Sequence, residues 1–315
     1  MIYTSVTIRG FVPVMRSPRL DGPFRTRLDA FTHALEGVDV GDVEALHRAR
    51  VASRRLRELI PLLQLDRDLT RRLARRLRKV TRELGNVREL DVLVLLVDEL
   101  AENGRYSQKA LKRLGATAAH ARTAARERLS SRLPTGKLQR LTLKLERVSN
   151  ALEADGARSD RPGSRRAWLW ALEARVARRA TTVCTAIETA GAVYATGHLH
   201  GVRIALKKLR YAAEIAAEAR GKQTTPDIVA LKAAQELLGR LHDLEMLLVR
   251  GREEQAALSP PSLAGWRDLS SLVHAVDDDC RQLHASYVRD RTKLMAIAVR
   301  NGASKLDAQL AARLG

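Results

Sequence analysis

One segment of this chain occurs twice. LHRARVASRRLRELI at 46–60 returns as LHGVRIALKKLRYAA at 199–213, pairing His47 with His200, Arg50 with Arg203, Arg54 with Lys207, Arg55 with Lys208 and Arg57 with Arg210. On a helix turning about 100° per residue, His47, Arg50, Arg54 and Arg57 fall within an arc of roughly 80°, and so do their counterparts. The opposite arc of the first copy holds Ala49, Ala52, Leu56, Leu59 and Ile60; that of the second holds Val202, Ala205, Leu209, Ala212 and Ala213. Each copy is therefore expected to be a helix that buries one face and presents cations from the other.

A second match follows each copy. LGNVRELD at 84–91 pairs with LGRLHDLE at 238–245, which sets Gly85 on Gly239, Arg88 on His242 and Asp91 on Glu245. The offset is 153 residues for the first match, His47 to His200, and 154 for the second, Gly85 to Gly239. A nearly constant spacing argues for duplication of a whole half of the chain, although two copies do not make a solenoid.

Composition narrows the fold class. Hydrophobic residues make up 45% of the 315, enough for a sizeable core, and are mostly Leu, Ala and Val; aromatics are 3% and Gly and Pro are sparse. That pattern fits an all-α protein and fits strand-rich or disordered chains poorly. The net charge of +20 calls for a polyanionic partner. Residues 46–88 alone hold fourteen Lys/Arg against four acids, which is half of that net charge. Cys184 and Cys280 lie far apart in helical patterns and are expected as buried thiols of a cytoplasmic protein. Neither a membrane span nor a signal peptide is expected.

Taken in order, residues 1–22 read as an extended arm, 23–154 as a first helical half, 155–163 as a linker, and 164–315 as a second helical half. Asp42 is placed to cap the first motif helix, which should run to about Leu65 with a kink at Pro61. The next helix sets Leu69, Leu73, Leu77, Val80 and Leu84 opposite Arg71, Arg75, Arg78 and Arg82. Gly85 and Gly239 are expected to bend or interrupt their helices.

The repeated LHxxRxxxxxLR helix followed by LGxxRELDVL resembles the CHAD family, the conserved histidine α-helical domain, over roughly residues 23–305. The resemblance implies two antiparallel helical bundles related by a pseudo-twofold axis, with the cationic helices lining a basic central groove or pore. It also implies inorganic polyphosphate as ligand, and a protein that binds it is expected at polyphosphate granules. Carried onto the matching positions, the implied site is His47, Arg50, Arg54, Arg55 and Arg57 with His200, Arg203, Lys207, Lys208 and Arg210. Arg48, Arg78, Lys79, Arg82 and Arg88, with Lys232 and Arg240, are secondary candidates. Members of the family are often fused to a triphosphate-tunnel enzyme domain, which is not expected here.

The chemistry of the residues agrees with an anion site. Polyphosphate carries closely spaced charges and no bases, so it needs rows of donors rather than stacking surfaces. Arginine forks bind phosphate oxygens in pairs and stay charged, while lysines act as mobile point charges. His47 and His200 are read as contacts to ligand, with a structural hydrogen bond as the alternative. No metal site, cofactor or catalytic nucleophile is expected: His198 and His200 are two residues apart, where adjacent helical turns present i and i+4, and Asp277–Asp278–Asp279 reads as a solvated acidic face. His242–Asp243–Leu244–Glu245 reads as a structural salt-bridging segment. Trp168, Trp170 and Trp266 read as core or bundle-edge residues. A basic helical protein for DNA or RNA is the alternative from another class, and a metal-dependent polyphosphate hydrolase is the enzyme alternative.

Overall fold

A computed structural model describes residues 21–303 except 64, 159–161, 223 and 259–261. Among them are nine α-helices and no strand: α1 (Asp21–Asp39), α2 (Val43–Leu59), α3 (Arg67–Asn103), α4 (Gln108–Arg132), α5 (Thr135–Arg158), α6 (Pro162–Ala190), α7 (Thr196–Ala219), α8 (Pro226–Ala256) and α9 (Leu263–Ala303). The all-α reading is correct.

Short polar caps set the helix starts. Asp42 accepts from the Glu44 amide at 2.8 Å to open α2, and Asp66 accepts from Asp68 and Leu69 at 2.9 and 3.0 Å to open α3. Thr225 accepts from Ile228 to open α8, where Pro226 occupies a position that has no amide to lose. Gly104 closes α3 with φ 70°, a conformation other residues adopt at a cost. Gly37 serves a different purpose, since a Cβ there would lie 2.4 Å from that of Ala45, so the bare backbone lets α1 and α2 approach.

Several expected boundaries move. Gly85 and Gly239 do not break their helices; α3 and α8 run straight through them. The i to i−4 ladder tolerates an isolated glycine at about 1 kcal/mol, which the packed leucines on either side outweigh. α2 stops at Leu59 and a single 3-10 turn, Ile60–Leu62, absorbs Pro61, so the motif helix is shorter than Leu65 would require. α1 continues past Gly37 to Asp39 and begins at Asp21, inside the expected arm; residues 1–20 of that arm lie outside the described residues. The expected linker is largely helical, because α5 reaches Arg158 and α6 starts at Pro162; residues 159–161 lie outside the described residues.

α1 packs against α2 and α5, α2 against α3, and α3 against α4; in the second half α6 packs against α7 and α9, and α8 against both. The halves meet where α2 faces α7, α3 faces α8 and α4 faces α9. A single continuous apolar core joins them. Polar ties cross the junction too: Arg240 grips Glu99 through two bonds of 2.6 and 2.7 Å, Arg113 reaches Glu254 at 2.9 Å, and Arg27 reaches Glu218 at 2.6 Å. Asp279 takes the Tyr106 hydroxyl and, at 2.8 Å, Arg105, so part of the acidic run is a tie between α9 and the α3–α4 turn. Trp168 is buried, whereas Trp170 and Trp266 are exposed at the bundle edge. Cys280 is buried and Cys184 partly so, both as free thiols.

Candidate anion-binding site

The two motif helices meet, α2 packing its apolar face against α1 and α3, and α7 against α6 and α8. On α2, Leu46, Ala49, Ala52, Leu56 and Leu59 are buried; on α7, Leu199, Val202, Ala205, Leu209 and Ala212 are. At roughly 1.5–3 kcal/mol for each large aliphatic side chain removed from water, these contacts fix the rotation of both helices. The cationic arcs then face the α2–α7 seam.

Arg50 and Arg54 of α2 meet Arg203 and Lys207 of α7 there. Burial, then Arg54, lowers Arg50 to about 10, with Arg203 adding to the effect and Glu89 opposing it. Arg203 is lowered by burial and by Arg54, while Asp243 pulls the other way. Lys207 is pushed down to about 6, first by burial and then by Arg54, Arg203, Arg50 and Arg210. None of these four cations has a carboxylate within ion-pair distance among the described residues, and the buried Nε atoms of Arg50 and Arg203 have no hydrogen-bond partner. Three guanidinium charges held together in a half-buried place repel one another and disfavour the charged form of Lys207, and an anion between them would remove that repulsion and recharge the lysine.

His47 and His200 flank the four. Burial lowers both; Arg88 of α3 then acts on His47, and Arg203 and Lys207 on His200. In each ring Nδ1 is buried without a partner, which leaves Nε2 as the nitrogen available to a ligand. His200 packs against His242 of α8 with ring centroids 4.8 Å apart. Arg88 and His242, matched in the sequence, thus stand beside matched histidines. Gly85 contributes as well: Arg50 lies over it, with Nε 3.4 Å from where a Cβ would be.

The remaining candidates divide. Arg57 and Lys208 lie at one end of the seam, both lowered by burial and by Arg179 of α6, near the buried Glu58. Arg55 and Arg210 are turned instead toward Glu214; Arg210 also donates to Gln235 at 2.9 Å and stacks over Tyr211 at 4.8 Å. Arg48 pairs with Asp42 and Glu44, Arg82 with Glu83, Lys232 with Glu236 and Arg240 with Glu99. Arg88 joins the seam, while Arg78 and Lys79 are exposed on α3.

Sequence reading missed two features. Glu58 holds Arg175 at 2.5 Å and Arg179 at 3.2 Å, tying α2 to α6; the two arginines stand one helical turn apart in the sequence, the only advance signal. Glu89 and Asp243, matched positions on α3 and α8, are carboxylates that act on the seam arginines. Asp243 is raised by burial despite Arg203, Arg240 and Arg88 nearby. The HDLE segment is a packing element: His242 meets His200, and Glu245 accepts from the Tyr194 hydroxyl at 3.2 Å. Its counterpart Asp91 is buried and holds Arg126 at 3.2 Å. Among the described residues no group of His, Cys, Asp and Glu is placed to hold a metal ion, and no helix is long and apolar enough to cross a membrane.

The architecture matches solved structures. The CHAD domain from the plant Ricinus communis superposes with a TM-score of 0.57 at 22% identity, covering 95% of this chain and 98% of that one. PptA from Streptomyces chartreusis does so with the same TM-score at 18% identity, covering 89% and 98%. At such identities the likeness speaks for the fold. No curated protein matches the sequence. The CHAD domain profile, however, matches residues 24–251, a span that takes in both motif helices and both glycine-containing matches, and the chain belongs to the CHAD family.

Proposed function

We propose that this protein binds inorganic polyphosphate along the α2–α7 seam and does not transform it. One observation carries the reading: Arg50, Arg54, Arg203 and Lys207 converge from two helices with no carboxylate paired to any of them among the described residues. Guanidinium forks on a rigid helix suit a flexible chain of phosphates, because the donors are ordered before the ligand arrives and only the ligand loses freedom. Histidine Nε2 atoms of His47 and His200 add donors at the edge. A nucleic acid would gain from base stacking, and Tyr211, the ring beneath Arg55 and Arg210, is buried. The two halves, 23–154 and 164–315, act as the two walls of a duplicated, pseudo-twofold site, in a protein of the cytoplasm that associates with polyphosphate granules.

Competition tests the ligand. Long-chain polyphosphate should displace duplex DNA at equal phosphate concentration, and failure to do so would remove polyphosphate as the ligand. Arg50→Glu with Arg54→Glu should weaken binding by about a hundredfold or more while leaving helicity intact, since two charge-assisted contacts become two repulsions. Release of orthophosphate with Mg²⁺ or Mn²⁺ would replace the binding role by that of a hydrolase.

A further inference from the structure

The cations of the seam do not end with it. Arg57, at its α6 end, is lowered by burial and by Arg54, and also by Arg78 of α3. From Arg78 the exposed face of α3 continues through Arg75 to Arg71, with Arg72 and Lys79 alongside. On a helix, Arg71, Arg75, Arg78 and Arg82 share an arc of about 60° and extend over about 16 Å. Asp68, Arg71, Arg72, Ala74, Arg75 and Arg78 line a shallow cavity of about 410 Å³ on this face. Asp68 meets Arg71 at 3.5 Å; Arg72, Arg75, Arg78 and Lys79 have no carboxylate within ion-pair distance among the described residues.

The matched surface of the other half is different. Residues 72–84 hold six Lys/Arg and one acid, whereas 226–238 hold one lysine and two acids. Lys232 is spent on Glu236, and Asp227 is held by Arg300 and Asn301 of α9. Cationic surface therefore leaves the seam toward α3 and has no equivalent toward α8.

We infer that the N-terminal face of α3 is a second, outer subsite that takes the continuation of a long polyanion leaving the seam past Arg57 and Arg78, so that the protein discriminates long phosphate chains from short ones and holds them in a one-sided manner. The inference rests on the seam being the primary site. A short anion satisfies the four central cations and never reaches Arg75 or Arg71; a long one adds contacts there without further cost in rotational and translational freedom.

Titrations of tripolyphosphate and long-chain polyphosphate against two variants decide it. Arg71→Gln with Arg72→Gln and Arg75→Gln should leave tripolyphosphate affinity unchanged and weaken long-chain binding about tenfold, the expected sum of three exposed, solvent-screened contacts. The corresponding triple lysine variant keeps the charge and should retain most long-chain affinity, which separates loss of contacts from loss of structure. Arg50→Gln with Arg54→Gln should weaken both probes. Unchanged long-chain affinity in the glutamine triple variant would overturn the outer subsite and leave the seam standing. Equal loss of both probes in that variant would also overturn it, because α3 would then belong to the primary site. If the Arg50/Arg54 variant kept both probes, the seam itself would fall, and the outer subsite with it.

Discussion

His200 on α7 and His242 on α8 stand with ring centroids 4.8 Å apart and ring planes inclined by 47°. Burial, then Arg203, lowers both imidazoles, and His242 falls to about 4. Lys207, buried and then crowded by Arg54 and Arg50 of α2 and by Arg203 and Arg210 of its own helix, falls to about 6. A phosphate placed among these bases favours their charged forms, so binding should draw protons from solution. The direction is fixed by the sign of the shifts. Between about 6 and the ordinary lysine value of 10.5, the unfolded chain holds a proton on Lys207 that the ligand-free fold lacks, so the stability of the ligand-free protein rises with pH across that window.

Affinity for the anion should run the other way and weaken as pH rises from about 6 to about 8, since fewer of these bases are charged before the ligand arrives. Calorimetry in two buffers of different ionisation enthalpy should show net proton uptake near neutral pH, and Lys207→Met should remove much of it. A binding enthalpy independent of buffer would contradict the arrangement.

Gly85 and Arg50 give a second prediction. A Cβ at Gly85 would stand 3.4 Å from Arg50 Nε and 3.7 Å from Nη2, which is ordinary contact. Gly85→Ala should therefore keep anion affinity and add about 0.5–1 kcal/mol of stability through reduced chain entropy and better helix propensity. Gly85→Leu has to displace the guanidinium and should lower affinity without unfolding α3. At Gly239 nothing lies within 4 Å, so Gly239→Leu should leave affinity unchanged. Equal effects at the two positions would show that Gly85 does not seat Arg50.

Helical class, the two motif helices and their buried faces were legible because periodicity is a local property, and a face set by Leu46, Ala49, Leu56 and Leu59 needs no knowledge of partners. The straight passage of α3 through Gly85 was not legible: propensity charges glycine in isolation, and the leucines and valines packed on either side decide the matter. Among the ten principal site residues, sequence could state which arc each occupied but not what would meet it from another helix. Arg210 shares an arc with Lys207, yet Glu214 and Gln235 claim it. Arg55 lies on the shoulder of the same face and is drawn to Glu214 across the junction. Arg175 and Arg179 carried no motif, and only the meeting of α6 with α2 gives them a partner in Glu58.

Salt should report how many seam cations touch the ligand. By analogy with single-stranded nucleic acids, each phosphate neutralised contributes about −0.7 to the slope of log affinity against log salt, so four seam contacts give about −3 for tripolyphosphate. Arg203→Gln should make the slope shallower by about 0.7 and cost more affinity at low salt than at high. A flat response would show that the four cations do not act together on one anion.

The Glu58 tie between α2 and α6 should be a sensitive polar contact in the fold. Its side chain is 6% exposed and accepts from Arg175 at 2.5 Å and Arg179 at 3.2 Å, with Arg57 and Lys208 close by. Burial alone would raise its carboxyl, but the two arginines overcome that and hold it below the ordinary glutamate range. A carboxylate depressed in the fold stabilises above its unfolded value of about 4.5 and loses that contribution as pH falls through the lower folded value. Glu58→Ala leaves two half-buried guanidinium groups, and the neighbouring cations, without their counter-charge, and should cost about 3 kcal/mol or more at neutral pH. The exposed pair Arg240 and Glu99 crosses the same junction in the solvent, so Glu99→Gln should cost less than about 1 kcal/mol. Denaturant melts of the two variants at neutral pH and at pH about 3 check both: the deficit of Glu58→Ala should shrink in acid, where the wild-type carboxyl is losing its charge, and a deficit that held constant with pH would mean that Glu58 acts by packing rather than by charge.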